Sequence, residues 1–348
     1  MAYTTINKSS EHFDTRTYSA SGAGSISDVS FQPDFLWFKN RTIVGDHGLM
    51  DAVRGVNGII HSNDSNAEVT SNGTTNITAF TSNGFTYGAS SLIDTGAGTP
   101  CTWLWKANGA GSANTDGTVN STASVNTTAG FSIVSWTHNG SANYTVGHGL
   151  GTTPKMILAK TTSSSANWDI YHANITSGNR LILNSTGGQV SGYWGANTVN
   201  NNTFSVGSAL ASNGTTMIAY CFADVQGFSK FGRFTANGST DNAFVYTGFK
   251  PAFVMMKCDN VTDGWSKWYM FDTARSPENM NVKELEANTT AVESSSGADY
   301  AQIDMLSNGF KLRNGSAWGP ASSGNTSVYM AFAEAPLVGS NNVPCTAR

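Results

Sequence analysis

Charged residues are scarce in this chain. Lys, Arg, Asp and Glu together make up 12% of its 348 residues, about half of the ~25% found in ordinary soluble domains. The formal net charge is −4 at pH 7, so the basic footprint of a nucleic-acid-binding protein is missing. Apolar residues still make up 39% of the chain, enough to build the cores that disordered chains lack. We therefore expect a folded protein without a nucleic-acid partner.

Long apolar runs and clustered cysteines are also missing. No apolar run approaches the ~20 residues of a membrane-spanning helix, and no basic segment followed by an apolar one marks a secretory signal. We therefore expect no membrane insertion, and synthesis in the cytoplasm. The four cysteines form no Cys-x-x-Cys pair, which favours free thiols over a disulfide framework or a zinc site. They are Cys101, Cys221, Cys258 and Cys345.

The common catalytic and metal-binding motifs are absent as well. The six histidines form neither His-x-His nor His-Glu-x-x-His, and there is no Gly-x-Ser-x-Gly elbow. His148 lies in a glycine-rich stretch without the lysine of a phosphate loop, which indicates a structural turn. Asp51 with Arg54 and Asp272 with Arg275 recur at one spacing, and we favour a local ion pair over a general acid with an arginine clamp. The sequence thus predicts no enzyme activity, no cofactor and no metal site.

What the chain does have is an internal repeat. Three segments each begin with proline, continue with large apolar residues and end six residues later in lysine: Pro33–Lys39, Pro154–Lys160 and Pro251–Lys257. Proline suits the first residue of a strand, and the apolar run is too short for an ordinary helix. Because alternate strand residues face opposite sides, each segment is predicted to be a central strand covered on both faces.

Three covers for the second apolar face stay open. They are a loop of the same repeat, a neighbouring repeat, or another subunit. We favour a homo-oligomer, with a trimer as the first choice, in which part of this surface is buried between domains or chains. Leaving three or four such side chains exposed would forgo roughly 1.5–3 kcal/mol for each.

Further motifs align with the proline-led segments and divide the chain into three β-sandwich repeats. Residues 281–287 have helical propensity, yet they align with the strand-like residues 180–183, and the alignment predicts a strand. Short strands and frequent Gly/Asn turns predict an all-β fold of three tandem sandwiches; jelly-roll, concanavalin-like and immunoglobulin-like topologies remain open. The predicted boundaries are an N-terminal arm (1–12), repeat 1 (13–106), a flexible linker (107–129), repeat 2 (130–226), repeat 3 (227–338) and a C-terminal tail (339–348).

Three of the nine tryptophans lie outside the repeating strands, in glycine-flanked or polar loops: Trp194, Trp265 and Trp318. Such side chains stack on sugar rings or anchor protein interfaces, so we select these three as candidate glycan or interface contacts. The alternative is that they fold back onto the sandwich.

The repeated phrases also resemble a family. They are Gly130-Phe-Ser-Ile-Val-Ser-Trp, Val146-Gly-His-Gly-Leu-Gly-Thr-Thr-Pro-Lys-Met, Ala219-Tyr-Cys-Phe-Ala-Asp, Gly248-Phe-Lys-Pro-Ala-Phe-Val and Tyr329-Met-Ala-Phe-Ala-Glu. They resemble the repeat β-domains of uncharacterised structural or tail-fibre-like proteins of tailed bacteriophages, especially marine ones. The resemblance spans nearly the whole chain and supplies no catalytic residues.

The resemblance implies a non-enzymatic protein of the virion surface, of the tail-appendage or fibre type. Its partners would be other virion proteins and a host surface glycan, and it would be made in the cytoplasm of a bacterial host. A capsid decoration protein is the first alternative. A glycan-active enzyme is the second, and it would need a carboxylate pair facing a cleft at a separation of ~5–10 Å.

Overall fold

The computed structural model describes residues 4–70, 74–90, 98–192, 194, 199–207, 210–294, 301–313 and 318–336. These residues form antiparallel β-sheets and two short 3-10 helices, Ser9–Glu11 and Gly319–Ala321. The predicted all-β class is therefore confirmed. Within the same residues there is no helix with the length and apolar character of a membrane span.

The first repeat supplies nine strands. They are β1 (Phe13–Thr17), β2 (Gly24–Ile26), β3 (Phe35–Asn40), β4 (Gly48–Asp51), β5 (Gly55–Ile60), β6 (Val69–Thr70), β7 (Asn76–Thr81), β8 (Gly84–Gly88) and β9 (Pro100–Trp105). A larger sheet has the order β1-β9-β3-β4-β5-β6, and a smaller one has the order β2-β8-β7.

Ten strands follow in and before the second repeat. They are β10 (Ser112–Asn114), β11 (Ser121–Asn126), β12 (Phe131–Thr137), β13 (Tyr144–Gly147), β14 (Met156–Thr161), β15 (Asp169–His172), β16 (Asn179–Ile182), β17 (Val190–Ser191), β18 (Thr203–Val206) and β19 (Thr216–Phe222). The larger sheet has the order β10-β11-β12-β19-β14-β15-β16-β17, and β13 pairs with β18.

The prediction of a flexible linker at 107–129 is wrong, because β10 and β11 lie in it and extend the second repeat's sheet. The stretch lacks large apolar residues, but small side chains let it pack closely. Ala123 is buried, the buried Ser121 hydroxyl donates to the Gly147 carbonyl, and the Ser124 hydroxyl accepts from Asn108 N–H. Hydrogen bonds and neighbouring strands therefore order this segment.

The third repeat supplies eight strands. They are β20 (Ser229–Thr235), β21 (Phe244–Tyr246), β22 (Phe249–Cys258), β23 (Tyr269–Asp272), β24 (Leu285–Glu286), β25 (Ile303–Leu306), β26 (Gly309–Leu312) and β27 (Thr326–Pro336). Their sheets have the orders β20-β27-β22-β23-β24 and β21-β26-β25. The same five-strand order thus occurs three times, and the proline-led strands β3, β14 and β22 lie inside their sheets as predicted.

Each proline-led strand is buried on both faces, but by different partners. One face packs within its own repeat in what we name the private core: Leu36 and Phe38, for example, pack with Phe85 of the smaller sheet. The opposite faces of all three strands meet in one cluster, which we name the shared core. Its contributions from these strands are Phe35 and Trp37, Met156 and Leu158, and Phe253 and Met255.

The second cover is therefore the neighbouring repeats of the same chain. Phe35 of the first repeat stacks on Tyr220 of the second at 4.0 Å between ring centroids, and Trp105 meets Phe332 of the third at 5.6 Å. Burial of this face thus needs no second subunit. The homo-oligomer was predicted because this face needed a cover, and that reason no longer applies. The shared core also distinguishes the chain from a string of independently cored domains.

Three equivalent seams join the repeats. In each, a side-chain ring N–H donates to a backbone carbonyl of another repeat: Trp168 Nε1 to His61 at 2.7 Å, Trp268 Nε1 to Ile182 at 3.0 Å and His47 Nε2 to Glu286 at 3.0 Å. His47 Nδ1 accepts the Trp37 indole N–H, so the His47 proton lies on Nε2.

A backbone hydrogen bond accompanies each of these contacts. Glu68 N–H donates to the Thr162 carbonyl at 2.8 Å, Gln189 N–H to that of Asp259 at 2.9 Å and Glu293 N–H to that of Arg41 at 2.7 Å. The seams join repeat 1 to 2, 2 to 3 and 3 to 1. The chain is therefore a closed circle of three repeats around the shared core, with threefold pseudo-symmetry.

Candidate functional site

The two Asp/Arg pairs lie in the seams and are structural. Asp51 Oδ2 accepts from Arg54 Nε at 2.6 Å and from the Tyr220 hydroxyl at 2.8 Å. Asp272 Oδ2 accepts from Arg275 Nε at 2.5 Å and from the indole N–H of Trp103 at 3.0 Å. Both aspartates are fully buried, and each pair bonds to a neighbouring repeat. This geometry favours the ion-pair interpretation over a general acid.

His148 and the described cysteines are likewise internal. The His148 ring bonds to the Asn200 carbonyl at 3.0 Å and accepts from Leu150 N–H at 3.2 Å, as expected of a turn. Cys101, Cys221 and Cys258 are buried and free, whereas Cys345 lies outside the described residues. Among the residues that the structure describes, no three His, Cys, Asp or Glu side chains are placed to hold a metal ion.

The three selected tryptophans differ in exposure. Trp194 and Trp318 are only 3% and 2% exposed, which agrees with the alternative that these tryptophans fold back onto the sandwich. Each folds back into a private core: Trp194 packs on Phe204, and Trp318 packs on Tyr269. Trp265 is 56% exposed and remains a candidate for direct contact with a ligand.

Trp265 and Trp318 nevertheless line one cleft, which we name the third-repeat cleft. Its walls also include Tyr269, two carboxylates and an amine. Its cavity volume is about 30 Å³, so a ligand larger than a water molecule would lie across its rim, against Trp265. The lining residues are Trp265, Lys267, Tyr269, Glu284, Glu286, Ala301 and Trp318.

The backbone of Trp265 is fixed although its side chain is exposed. Trp265 N–H donates to Asp263 Oδ1 at 2.9 Å. The Trp265 carbonyl accepts from the Tyr269 hydroxyl at 2.8 Å and from Gly319 N–H at 3.1 Å. These bonds hold the loop against the sheet, so the indole is presented with little loop entropy left to lose on binding.

The two carboxylates of the cleft have different surroundings. Glu286 accepts from Lys267 Nζ at 2.6 Å and from the Thr289 hydroxyl at 2.8 Å. Glu284 is 4% exposed, and its Oε2 has no hydrogen-bond partner among the described residues. Burial, followed by the nearby charge of Glu286, raises the pKa of Glu284 to about 7. The Trp318 indole N–H is also unpartnered within the described part of the chain. The walls of the cleft thus contain a buried carboxyl oxygen and a buried N–H donor that no described residue satisfies.

A comparison of the repeats shows that this aromatic surface is not required by the fold. Trp265 lies three residues before the seam residue Trp268, and the corresponding positions before His47 and Trp168 hold Val44 and Ser165. The outward-facing Phe244 and Tyr246 are also exposed, at 47% and 55%. The residues equivalent to this pair, by the register of the smaller sheets, are Ser25, Ser27, Thr145 and Gly147. The third repeat therefore adds exposed aromatics to an architecture that forms twice without them.

A larger cleft, with a volume of about 290 Å³, lies between the first and third repeats. Its acidic side chains are paired, Asp14 with Arg16 at 2.8 Å and Glu334 with Lys250 at 2.6 Å, and its lining contains no exposed aromatic side chain. The larger volume favours this cleft, whereas the exposed aromatic side chain and the unsatisfied polar atoms favour the third-repeat cleft. We therefore select the third-repeat cleft as the candidate site.

Sequence reasoning found two members of this site and missed the carboxylates. Once residues 281–287 were aligned as a strand, Glu284 and Glu286 stood two residues apart, and this spacing places both on one face. The spacing of the two glutamates could therefore have shown that their carboxylates lie together. The sequence does not show that they lie near Trp265, because the tryptophan loop and the glutamates are brought together by the pairing of Tyr269 with Glu286.

Comparison with known proteins gives one family. A family model described as a domain of unknown function, DUF7483, matches residues 8–336. No curated protein and no solved structure shows a significant match to the chain.

Proposed function

The chain belongs to the DUF7483 family, whose function is unknown, and we propose that it is a non-enzymatic structural protein of a bacteriophage virion. In this proposal it lies on the particle surface as a tail appendage or fibre component. It binds a host surface glycan through the third-repeat cleft. The resemblance of its repeated phrases to phage structural proteins supports the virion assignment.

The architecture suits a mechanical role. We propose that each repeat is a β-sandwich, with its larger and smaller sheets as the two layers, and that the three are fused through the shared core. Trp103, Trp105 and Phe253 are almost fully buried there. The seams add buried ion pairs, so a repeat cannot separate without exposing both apolar surface and charge. Such a body would keep its shape on an exposed particle surface.

The observation that carries the glycan assignment is the exposed, anchored indole of Trp265. Aromatic faces pack against the C–H faces of sugars, while polar groups beside them fix the orientation of the ligand. Here the polar groups are Glu284 Oε2 and the indole N–H of Trp318, both without partners among the described residues.

Binding to a glycan array tests this assignment. We expect wild-type protein to retain a defined set of glycans and Trp265→Ala to bind them at least about fivefold more weakly, since stacking of a ring on an aromatic side chain contributes ~1–3 kcal/mol in nucleic-acid complexes. Val44→Ala is the matched control, because Val44 is 68% exposed at the equivalent loop position of the first repeat. Equal losses of binding in both variants, or glycan binding that survives Trp265→Ala, would show that the third-repeat cleft is not the glycan-binding site.

A glycan-active enzyme is the second candidate, favoured by Glu284 and Glu286 in one cleft. Glycosidases use two carboxyls whose pKa values are held apart. The bonds from Lys267 and Thr289 to Glu286 make it a poor nucleophile or base, and we therefore prefer binding without turnover. Release of shorter glycans by wild type, lost in Glu284→Gln, would establish the enzyme instead.

Capsid decoration and oligomerisation are decided by separate measurements. The position of the subunit on the virion distinguishes a tail appendage from a decoration protein. A homo-oligomer, with a trimer as the first choice, stays a prediction that mass measurement in solution tests. Other virion proteins are the partners expected in both locations.

A further inference from the structure

The third-repeat cleft carries more negative than positive charge. Glu284 and Glu286 line it, and Asp263 lies below the Trp265 loop, where it accepts from Trp265 N–H and from the Ser266 hydroxyl. Lys267 is the basic residue of the lining, and its ammonium is engaged by Glu286 at 2.6 Å. The charge that remains for a ligand is that of Glu284.

The walls of the cleft are aromatic. Trp265 is exposed at its rim, and Tyr269 and Trp318 meet edge to face at 5.1 Å between ring centroids. Aromatic faces attract organic cations through the ring quadrupole, most strongly where water is excluded. Elsewhere the chain already makes this contact, with the Lys257 ammonium 5.8 Å from the Trp268 ring.

We propose that the third-repeat cleft binds an organic ammonium group, carried by an amino sugar or by a quaternary amine. The ammonium lies against the indole of Trp265 and faces the carboxylate of Glu284. This inference rests on the proposed function, because it uses the same cleft, and it specifies which glycans the cleft would select.

The unused oxygen of Glu284 is the reason for choosing a cation. The Glu284 carboxylate accepts a backbone hydrogen bond from Ala301, but its Oε2 has no partner among the described residues. An unsatisfied buried carboxylate oxygen is costly, and the cost is recovered when an opposite charge or a hydrogen-bond donor reaches it. Glu284 is 4% exposed and lines the cleft, so a cation held at the rim by Trp265 would supply the opposite charge. A neutral sugar could donate a hydroxyl hydrogen bond to this carboxylate but would bring no opposite charge, so a cation compensates it more fully.

The protonation of Glu284 predicts that binding of the cation depends on pH. Burial and then Glu286 raise its pKa to about 7, while Lys267, a backbone hydrogen bond from Ala301 and Arg275 act in the opposite direction. Glu284 therefore becomes ionised as the pH rises through neutrality. A ligand with a permanent positive charge should bind more tightly at about pH 8 than at about pH 6.

Calorimetry with matched ligands tests the proposal. The probes are choline and its uncharged carbon isostere, and glucosamine and N-acetylglucosamine. We expect at least one cation to bind about tenfold more tightly than its neutral counterpart, and choline binding to strengthen with pH if choline is that cation. The cation that binds identifies the source of the ammonium. In Glu284→Gln the preference for the cation should disappear while the thermal unfolding profile stays cooperative; if this variant does not fold, Trp265→Ala should abolish binding of the preferred cation.

The outcomes separate this inference from the proposed function. If neutral sugars bind as tightly as the cations, the ammonium inference fails and glycan binding stands. If neither cation binds but other glycans are retained on the array, the inference again fails alone. A cation preference that persists in Glu284→Gln would overturn the role of this carboxylate.

Discussion

Two adjacent methionines test whether the repeats are joined through one core. Met255 and Met256 are both fully buried in β22, but Met255 points into the shared core and Met256 into the private core of the third repeat. Replacement of a buried methionine by alanine costs about 2–5 kcal/mol. Because the same atoms are removed in both variants, a difference between them reports which core was damaged.

Hydrogen exchange resolves this difference along the chain. In Met255→Ala we expect faster exchange in all three repeats, including β14 and β19 of the second, because their side chains face the same cluster. In Met256→Ala the largest increase should fall in β25 and β26, which close the private core. A loss of about 2–5 kcal/mol corresponds to a roughly 30- to several-thousand-fold change in the opening equilibrium. If β14 and β19 keep their wild-type protection in Met255→Ala, the shared core does not couple the repeats.

Three further predictions concern the seams and the buried charges. Trp268→Phe removes the donor to the Ile182 carbonyl and should lower the free energy of unfolding by about 1–3 kcal/mol in urea titrations. An unchanged midpoint would show that this hydrogen bond does not stabilise the contact between the second and third repeats. Asp272→Ala removes the nearer carboxylate from the fully buried Arg275, which keeps Glu293 at 3.1 Å, and should cost about 3–5 kcal/mol by the same assay, more than a surface pair could. Burial lowers the pKa of the equivalent Lys39, Lys160 and Lys257 to about 8, about 8 and about 7. At about pH 7.5–8.5 the unfolded chain, whose lysines have ordinary pKa values, therefore holds more protons than the folded chain. The free energy of unfolding should rise between about pH 7.5 and about pH 8.5, and a fall in the urea midpoint across this window would contradict the lowered lysine pKa values.

Repetition made much of the fold predictable. The phrase of proline, apolar run and lysine predicted β3, β14 and β22 as inner strands with two apolar faces, and all three are buried as predicted. Alignment also outweighed local propensity at 281–287, where β24 forms despite a helix-favouring composition. Three copies of one pattern are thus more informative than the composition of any single copy.

The remainder depended on contacts between distant residues. The segment 107–129 has too few apolar residues to show a strand period, and its order comes from pairing with β12. Two apolar faces indicated that a second cover exists, but the sequence does not say that this cover is the other two repeats. In the cleft, Trp265 and Trp318 were selected because of their loops. Glu284 and Glu286 were missed because their role arises only where β24 pairs with β23.

A reconstruction of the whole virion tests the central claim most directly, because it locates both the subunit and its third repeat. We predict that the subunit lies on the outside of the particle, with Trp265 and its cleft directed away from the virion and open to solvent. A subunit inside the particle, or a cleft covered by another virion protein, would contradict a surface protein that binds host glycans at this site.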